Sequence, residues 1–293
     1  MYKTGTAVPA IAGDSKVDGG AGDVTLALAG NANVGKSSIF NQLTGLTQET
    51  GNWGGKTVDM TEGVLLHHGL NIKIVDLPGI YSFETYSPEE QISRAYILAG
   101  HQDVVINVID ATSLERNLFF TLQVKEMGVP VVIALNHSDI AAKKHIQLDT
   151  NLLSELLGVP VVMTVAIKGI GVHELVDAAL GKIGMPVNLE NPLRYGPEIE
   201  KRIDELIRLM DETNLKYRPR WTAIHLLEGE KDLFINEDEK NSRLVEYSQI
   251  LAEEITSMHG ENISTVIAAE RYTLAASIAR RITTRAEPVK GAL

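Results

Sequence analysis

The sequence predicts an α/β fold, a doubly wound and mostly parallel sheet with one antiparallel edge strand, followed by an all-α helical domain. Three observations carry that prediction. Val/Ile-rich runs such as Asp103–Ile109 and Val131–Leu135 lack polar alternation, which marks parallel strands covered on both faces. A glycine-rich stretch, Gly30–Ser37, separates the strand-like run Val24–Ala29 from a helical pattern, the strand–turn–helix order of a βα unit. Beyond residue 196 the strand pattern stops, and Ile199, Ile203, Leu206, Ile207 and Met210 recur at helical spacing.

Taken in order, a strand at 24–29 feeds a helix over 36–45. A glycine-rich segment, 51–58, reads as a mobile loop. Strands at 62–67 and 71–76 flank His67-His68-Gly69 and form a hairpin, the source of the antiparallel edge strand. Ser87-Pro88-Glu89-Glu90 is a helix start, with proline and acids in the first turn, and opens a helix over 88–99. A strand at 103–109, a helix at 114–127, and strands at 131–135 and 160–165 complete the sheet. Met185–Asn188 through Tyr195–Pro197 is a proline-marked linker, and a second helical stripe runs through Leu244, Ile250, Leu251 and Ile255. The expected organisation is a disordered leader 1–22, a sheet domain 23–182, a linker 183–196, a helical domain 197–284 and a tail 285–293.

Composition sets limits. The 293 residues, 44% hydrophobic, suffice for one large or two ordinary domains. With Cys at 0 there is no disulfide framework, thiolate metal site or Cys nucleophile. The net charge of −11 argues against a nucleic-acid footprint, which needs a basic face. Between 198 and 261 stand 16 acidic and 9 basic side chains, a solvated helical face or a surface that answers to events elsewhere. No apolar run approaches the ~18 residues of a membrane-spanning helix, and residues 1–22 lack a signal-peptide core.

The chemistry is concentrated in four segments. Gly30–Ser37 reads GxxxxGKS, a P-loop. Main-chain N–H groups and the following helix dipole converge on phosphate oxygens there. The cradle comprises Gly30, Asn31, Asn33, Val34, Gly35, Lys36, Ser37 and Ser38. Lys36 reaches the β- and γ-phosphates, and the Ser37 hydroxyl ligates Mg²⁺. Asp76-Leu77-Pro78-Gly79 closes a strand, so Asp76 is a Mg²⁺ candidate and the Gly79 amide a γ-phosphate sensor. Thr57, in the 51–58 loop, is the candidate for closing onto Mg²⁺. Asn136-His137-Ser138-Asp139 falls at the carboxyl end of a buried strand, where ligands sit in open α/β sheets. The Asp139 carboxylate accepts from N1–H and the exocyclic amine of guanine, a donor pair adenine lacks. Backbone N–H groups of Ala166 or Ile167 face the guanine carbonyl. GTP and GDP are the expected ligands, on a P-loop GTPase fold.

With Asp76–Ser82 (DLPGIYS), Asp110–Leu118 (DATSLERNL), Trp221–Gly229 (WTAIHLLEG) and Arg271-Tyr272, the chain resembles the N-terminal cytoplasmic part of the ferrous iron transport protein B family over about residues 24–282. The resemblance implies a GTPase domain and a helical domain on the cytoplasmic side of a prokaryotic plasma-membrane Fe²⁺ transporter. Its partners are then the membrane-spanning part of the same transporter, small cytoplasmic accessory proteins of the same transport system, and other copies of the chain, with no nucleic acid. It implies slow GTP hydrolysis, with K⁺ held partly by Asn33. Gly54, Lys56 and His137 depart from the family's usual Pro, apolar residue and Met.

Ile80 stands where a Ras-like enzyme has its water-orienting Gln, so Lys36, Thr57 and Gly79 are left as the catalytic set. Two other readings remain: a K⁺-stimulated GTPase acting on RNA or ribosomes, and a non-catalytic module switched by GTP. His67 and His68, as strand neighbours, are expected to face opposite ways as solvent-facing turn residues, and no carboxylate–His spacing suggests an Fe²⁺ cage.

Overall fold

The computed structural model describes residues 24–45, 48–52, 59–82, 87–186, 194–210, 217–230 and 239–285. Two compact units emerge among them. One comprises residues up to 193 together with 271–285, and the other spans 194–270. The helical stretch expected at 197–284 is thus divided after Glu270.

The first unit is built on seven strands: β1 (Val24–Gly30), β2 (Gln48–Asn52), β3 (Asp59–His67), β4 (Leu70–Asp76), β5 (Val104–Asp110), β6 (Val131–Asn136) and, after a short β7 (Ile146–Leu148), β8 (Val161–Met163). Their order across the sheet is β2-β3-β4-β1-β5-β6-β8. All pairs from β4 to β8 are parallel, and β3 is antiparallel to both neighbours. The one antiparallel strand is therefore the expected one, but it is not the edge. β2 covers it, formed by residues 48–52, of which Gly51 and Asn52 fall in the expected 51–58 loop. Trp53–Val58, with Thr57, lie outside the described residues.

Burial follows the reading of the sequence. Every residue of β6 and Val104–Ile109 of β5 are buried, as parallel strands sandwiched by helices require. Helices α1 (Lys36–Thr44) and α6 (Val172–Leu180) pack on one face, where Leu26, Ile39, Ile74, Val108, Leu175 and Val176 form the core. The other face carries α3 (Leu114–Glu126) and α5 (Thr150–Leu157), with Leu118, Leu122, Ile133 and Leu153. Helix α2 (Pro88–Ala99) begins as predicted, Ser87 Oγ accepting from the Glu90 amide at 3.2 Å. A short α4 (Ser138–Lys143) follows β6.

Strand β8 is shorter than the predicted 160–165. Val165 turns back to bridge Ile170, and Ala166–Lys168 curl into a 3₁₀ turn. Pairing of Met163 with Leu135 sets the end of β8 beside that of β6, and the diversion brings the 166–168 turn against Asn136.

The second unit contains α7 (Pro197–Met210), α8 (Pro219–Leu227), α9 (Glu239–His259) and the start of α10 (Ile263–Ile282). Of the predicted stripe, Ile199, Ile203, Leu206 and Met210 are buried and Ile207 is half-buried at its margin. Buried Glu200 accepts from the Tyr195 amide at 2.7 Å and from both terminal nitrogens of Arg220, the bidentate geometry that satisfies a buried carboxylate. The far end of α10 belongs to the first unit. Buried Arg271 forks onto Glu126 of α3, Tyr272 stacks on Phe119 at 4.1 Å, and β9 (Thr283–Arg285) pairs with β7. The quoted Arg271-Tyr272 pair thus has a structural role.

Candidate functional site

Three strand ends meet at the carboxyl edge of the sheet: β1 at Gly30, β4 at Asp76 and β6 at Asn136. The strand order changes direction around β1, and such a switch point is where open α/β sheets hold ligands. Gly30 lies so close to the Val108 carbonyl that a Cβ would overlap it. Gly35, at φ 90°, has no room for a Cβ because the Asn136 side chain fills the space. Both glycines are required by packing as well as by conformation. Between them Asn31 is buried with neither side-chain amide atom hydrogen-bonded, Asn33 is exposed in the left-handed region (φ 66°), and Val34 is buried. Ser38, in the first turn of α1, is half-buried.

Lys36 Nζ forms an ion pair with Asp76 Oδ1, and Ser37 Oγ lies 3.4 Å from Asp76 Oδ2. The loop's cation, its hydroxyl and the acid that ends β4 therefore share one spot. Burial pushes the Asp76 carboxyl above its ordinary value, against the pull of the Lys36 charge. Gly79 sits against the loop, where a Cβ would come 3.3 Å from Ala32 Cα. The Ile80 amide donates to the Gly30 carbonyl at 3.2 Å and its side chain is buried. That side chain packs inward and orients nothing in the site. The next residue, Tyr81, lies under the Arg116 guanidinium at 4.3 Å. The DLPGIYS and DATSLERNL strings are thus joined in space by a cation–π contact.

The segments expected to read the base are tied together by Asn136. Its Nδ2 donates to the Val34 carbonyl at 2.9 Å, and its Oδ1 accepts from the Ala166 amide at 3.0 Å and the Thr164 hydroxyl at 3.3 Å. One buried amide links the phosphate loop, the NHSD segment and the 166–168 turn. The Ala166 N–H is thereby committed, so of the two expected donors to a guanine carbonyl Ile167 is the one left. Ile167 is 71% exposed. Asp139 opens α4, and a hydrogen bond from Lys168 Nζ at 3.0 Å holds its carboxyl below the ordinary value. His137, at φ 60°, pairs with Asp110 through Nδ1 at 3.2 Å.

The oxygen-only set of Ser37 and Asp76 suits a hard divalent ion such as Mg²⁺. The amide oxygen of exposed Asn33 is the uncharged donor a K⁺ ion accepts. Sequence reasoning missed the Lys168–Asp139 pair, which no motif spacing reveals. It also misplaced His67, which is buried, while His68 is the exposed turn residue expected. His67 Nε2 and His68 Nε2 lie 2.7 and 3.1 Å from the same oxygen, Asp177 Oδ1. Strand alternation fails because His68 has left the strand for a turn, at φ 49°.

Fold and site together define a G domain of the P-loop GTPase class, joined to a helical unit. The family described as ferrous iron transport protein B matches residues 24–179, and the FeoB cytosolic helical domain matches residues 195–284. The chain belongs to the ferrous iron transport protein B family. Among relatives, the Fe(2+) transport protein A/Fe(2+) transporter FeoB fusion protein of Porphyromonas gingivalis is 42% identical over 229 residues, covering 74% of this chain. The chain spans only 27% of that relative's length. Among solved structures, an S. thermophilus NFeoB variant bound to GDP is 34% identical, with a TM-score of 0.79, covering 90% of this chain and 100% of that one. The cytosolic domain of T. maritima FeoB in its GMPPNP form is 31% identical, with a TM-score of 0.75, covering 89% and 99%. No helix among the described residues is long and apolar enough to cross a membrane.

Proposed function

We propose that this chain binds GTP and GDP, hydrolyses GTP slowly, and passes its nucleotide state to the membrane-spanning part of a ferrous iron transporter. The observation that carries the proposal is the convergence of Lys36, Ser37 and Asp76, with Asn136 tying that loop to the turn whose Lys168 holds Asp139. The GDP- and GMPPNP-bound relatives support the choice of nucleotide.

On this reading the loop amides from Asn31 to Lys36 hold the β-phosphate. Lys36 leaves Asp76 for the β- and γ-oxygens. Ser37, Asp76 and Thr57 would hold Mg²⁺, which neutralises phosphate charge when bound. Asp139 accepts from the guanine N1–H and amine, the Ile167 N–H donates to its carbonyl, and the Lys168 stem covers the ring. Gly79 offers its amide to the γ-phosphate, which joins the DLPG segment to the nucleotide state. Because Ile80 cannot orient water, the backbone of the 51–58 segment has that role. Asn33 would hold K⁺, which supplies charge where other GTPases use an arginine finger. Acidic surface on the helical unit argues against RNA as partner. The fusion named in P. gingivalis supports a small transport protein A as a second partner.

Phosphate release with Mg²⁺, in K⁺ and in Na⁺, tests the proposal. The expected rate is on the order of 10⁻⁴ to 10⁻² s⁻¹, the range of GTPases without a partner's arginine, higher in K⁺, with Asn33→Ala abolishing the difference. Guanine-nucleotide binding with no turnover in either salt, unchanged by Thr57→Ala, would reduce the domain to a non-catalytic switch.

A further inference from the structure

Three of the chain's eight histidines gather at one place that the nucleotide reading does not use. His67 ends β3 and is buried, while His68 and Gly69 form the two-residue loop to β4. Both loop residues have positive φ, 49° and 79°, the type I′ hairpin turn that favours Asn-Gly or Asp-Gly. Histidine tolerates a positive φ but is not among the residues this turn favours at its first position. The left-handed backbone swings the His68 ring toward that of His67, with centroids 4.1 Å apart. Helix α6 supplies the rest. His173 and Asp177 are four residues apart and so share a face, with the His173 ring stacked 5.7 Å from His67. The Asp177 carboxylate receives both hairpin histidines.

We infer that His67, His68 and Asp177, with His173 as a further donor, form a binding site for a divalent first-row transition-metal ion at the tip of the β3–β4 hairpin. The three ligand atoms lie within 4.8 Å of one another. Ligands of a tetrahedral or octahedral ion with bonds of about 2.1 Å stand about 3.0 to 3.4 Å apart, so small side-chain shifts suffice. Imidazole nitrogens with one carboxylate suit Fe²⁺, Co²⁺ or Zn²⁺ and disfavour Mg²⁺ and Ca²⁺, which take oxygen ligands. Two histidines and one carboxylate is the donor set that holds non-haem Fe²⁺ with positions left open. An ion there ties the hairpin tip to α6. A bare ion pair would need only one histidine on Asp177, and it would not need histidine at a turn position that asparagine fills better.

The test uses the full chain without a polyhistidine tag, in excess Mg²⁺ to occupy oxygen-rich sites. Co²⁺ is followed by its visible absorption, Zn²⁺ by calorimetry, and Fe²⁺ by anaerobic competition against Co²⁺. One saturable equivalent is expected, with the NMR signals of the His67 and His68 rings shifting. His68→Asn should keep or raise the melting temperature, because it improves the turn, yet weaken metal binding at least about tenfold, the loss already typical of removing an outer-shell partner. Asp177→Asn, on an exposed helix face, should weaken it similarly. Competition by Fe²⁺ separates an iron site from one selective for Zn²⁺. Equal binding by wild type and both variants, or no saturable binding by wild type, would overturn the site.

Discussion

The Lys36 ammonium rests on the Asp76 carboxylate, with the two side chains only 9% and 12% exposed. The proposed phosphate ligand and the proposed magnesium ligand thus neutralise each other in the nucleotide-free chain. Replacing Asp76 by Asn leaves a buried ammonium without its counter-charge. The nucleotide-free protein should lose about 3 kcal/mol in urea unfolding, and GDP should restore part of the loss. GTP turnover should fall at least about tenfold, with its Mg²⁺ dependence flattened.

Asn136 is 1% exposed and bonds three segments at once. Asn136→Ala strips partners from the buried Val34 carbonyl and Ala166 amide, each costing about 1–3 kcal/mol. Unfolding free energy should drop by about 3 kcal/mol. Affinity for GDP should weaken without any gain for ADP, because geometry is lost and not selectivity.

On the proposed reading, selectivity resides in Asp139. Asparagine there replaces one carboxylate acceptor with an amide donor, which mismatches the guanine amine and matches a carbonyl at the same ring position. Competition binding should show Asp139→Asn losing about 10³-fold or more for GTP, within the penalty for an unpaired polar match, and gaining for xanthosine triphosphate.

In the last turn of α3, Lys125 donates to the Leu157 carbonyl, and burial lowers its pKa to about 8. The unfolded chain therefore holds that proton up to about pH 10.4, while the folded protein releases it near 8. Between those values the unfolded state binds more protons, so stability rises with pH by about 2–3 kcal/mol from this site, and below pH 8 it is flat. The difference in unfolding free energy between wild type and Lys125→Met, measured from pH 6.5 to 10, should show that climb.

The sheet was legible wherever burial on both faces forced continuous apolar runs, as in β5 and β6, and wherever a cap was written out, as at Ser87-Pro88. Strand β2 was not, because Gln48–Asn52 carries no apolar pattern and is ordered by pairing with β3. Helix α6 and the β7–β9 pair were also missed; the latter joins residues about 140 apart, which no local pattern records. In the site, GxxxxGKS and DLPG stand out because backbone geometry restricts their glycines, and NxxD because it closes a buried strand. What they cannot convey is sharing. Ala166 and Ile167 were equivalent in the sequence until the Asn136 oxygen took one of them. His67 and His68 looked divergent until the turn conformation of the second brought their rings together.

The central claim is that Lys36, Asp76 and Asp139 form one guanine-nucleotide site. Equilibrium titration of the purified chain with fluorescent GTP, GDP and ATP analogues in Mg²⁺ tests it most directly. Guanine nucleotides should bind at least about 100-fold tighter than ATP, with the preference abolished by Asp139→Ala. Equal or tighter binding of ATP, or no binding of any of the three, would contradict it.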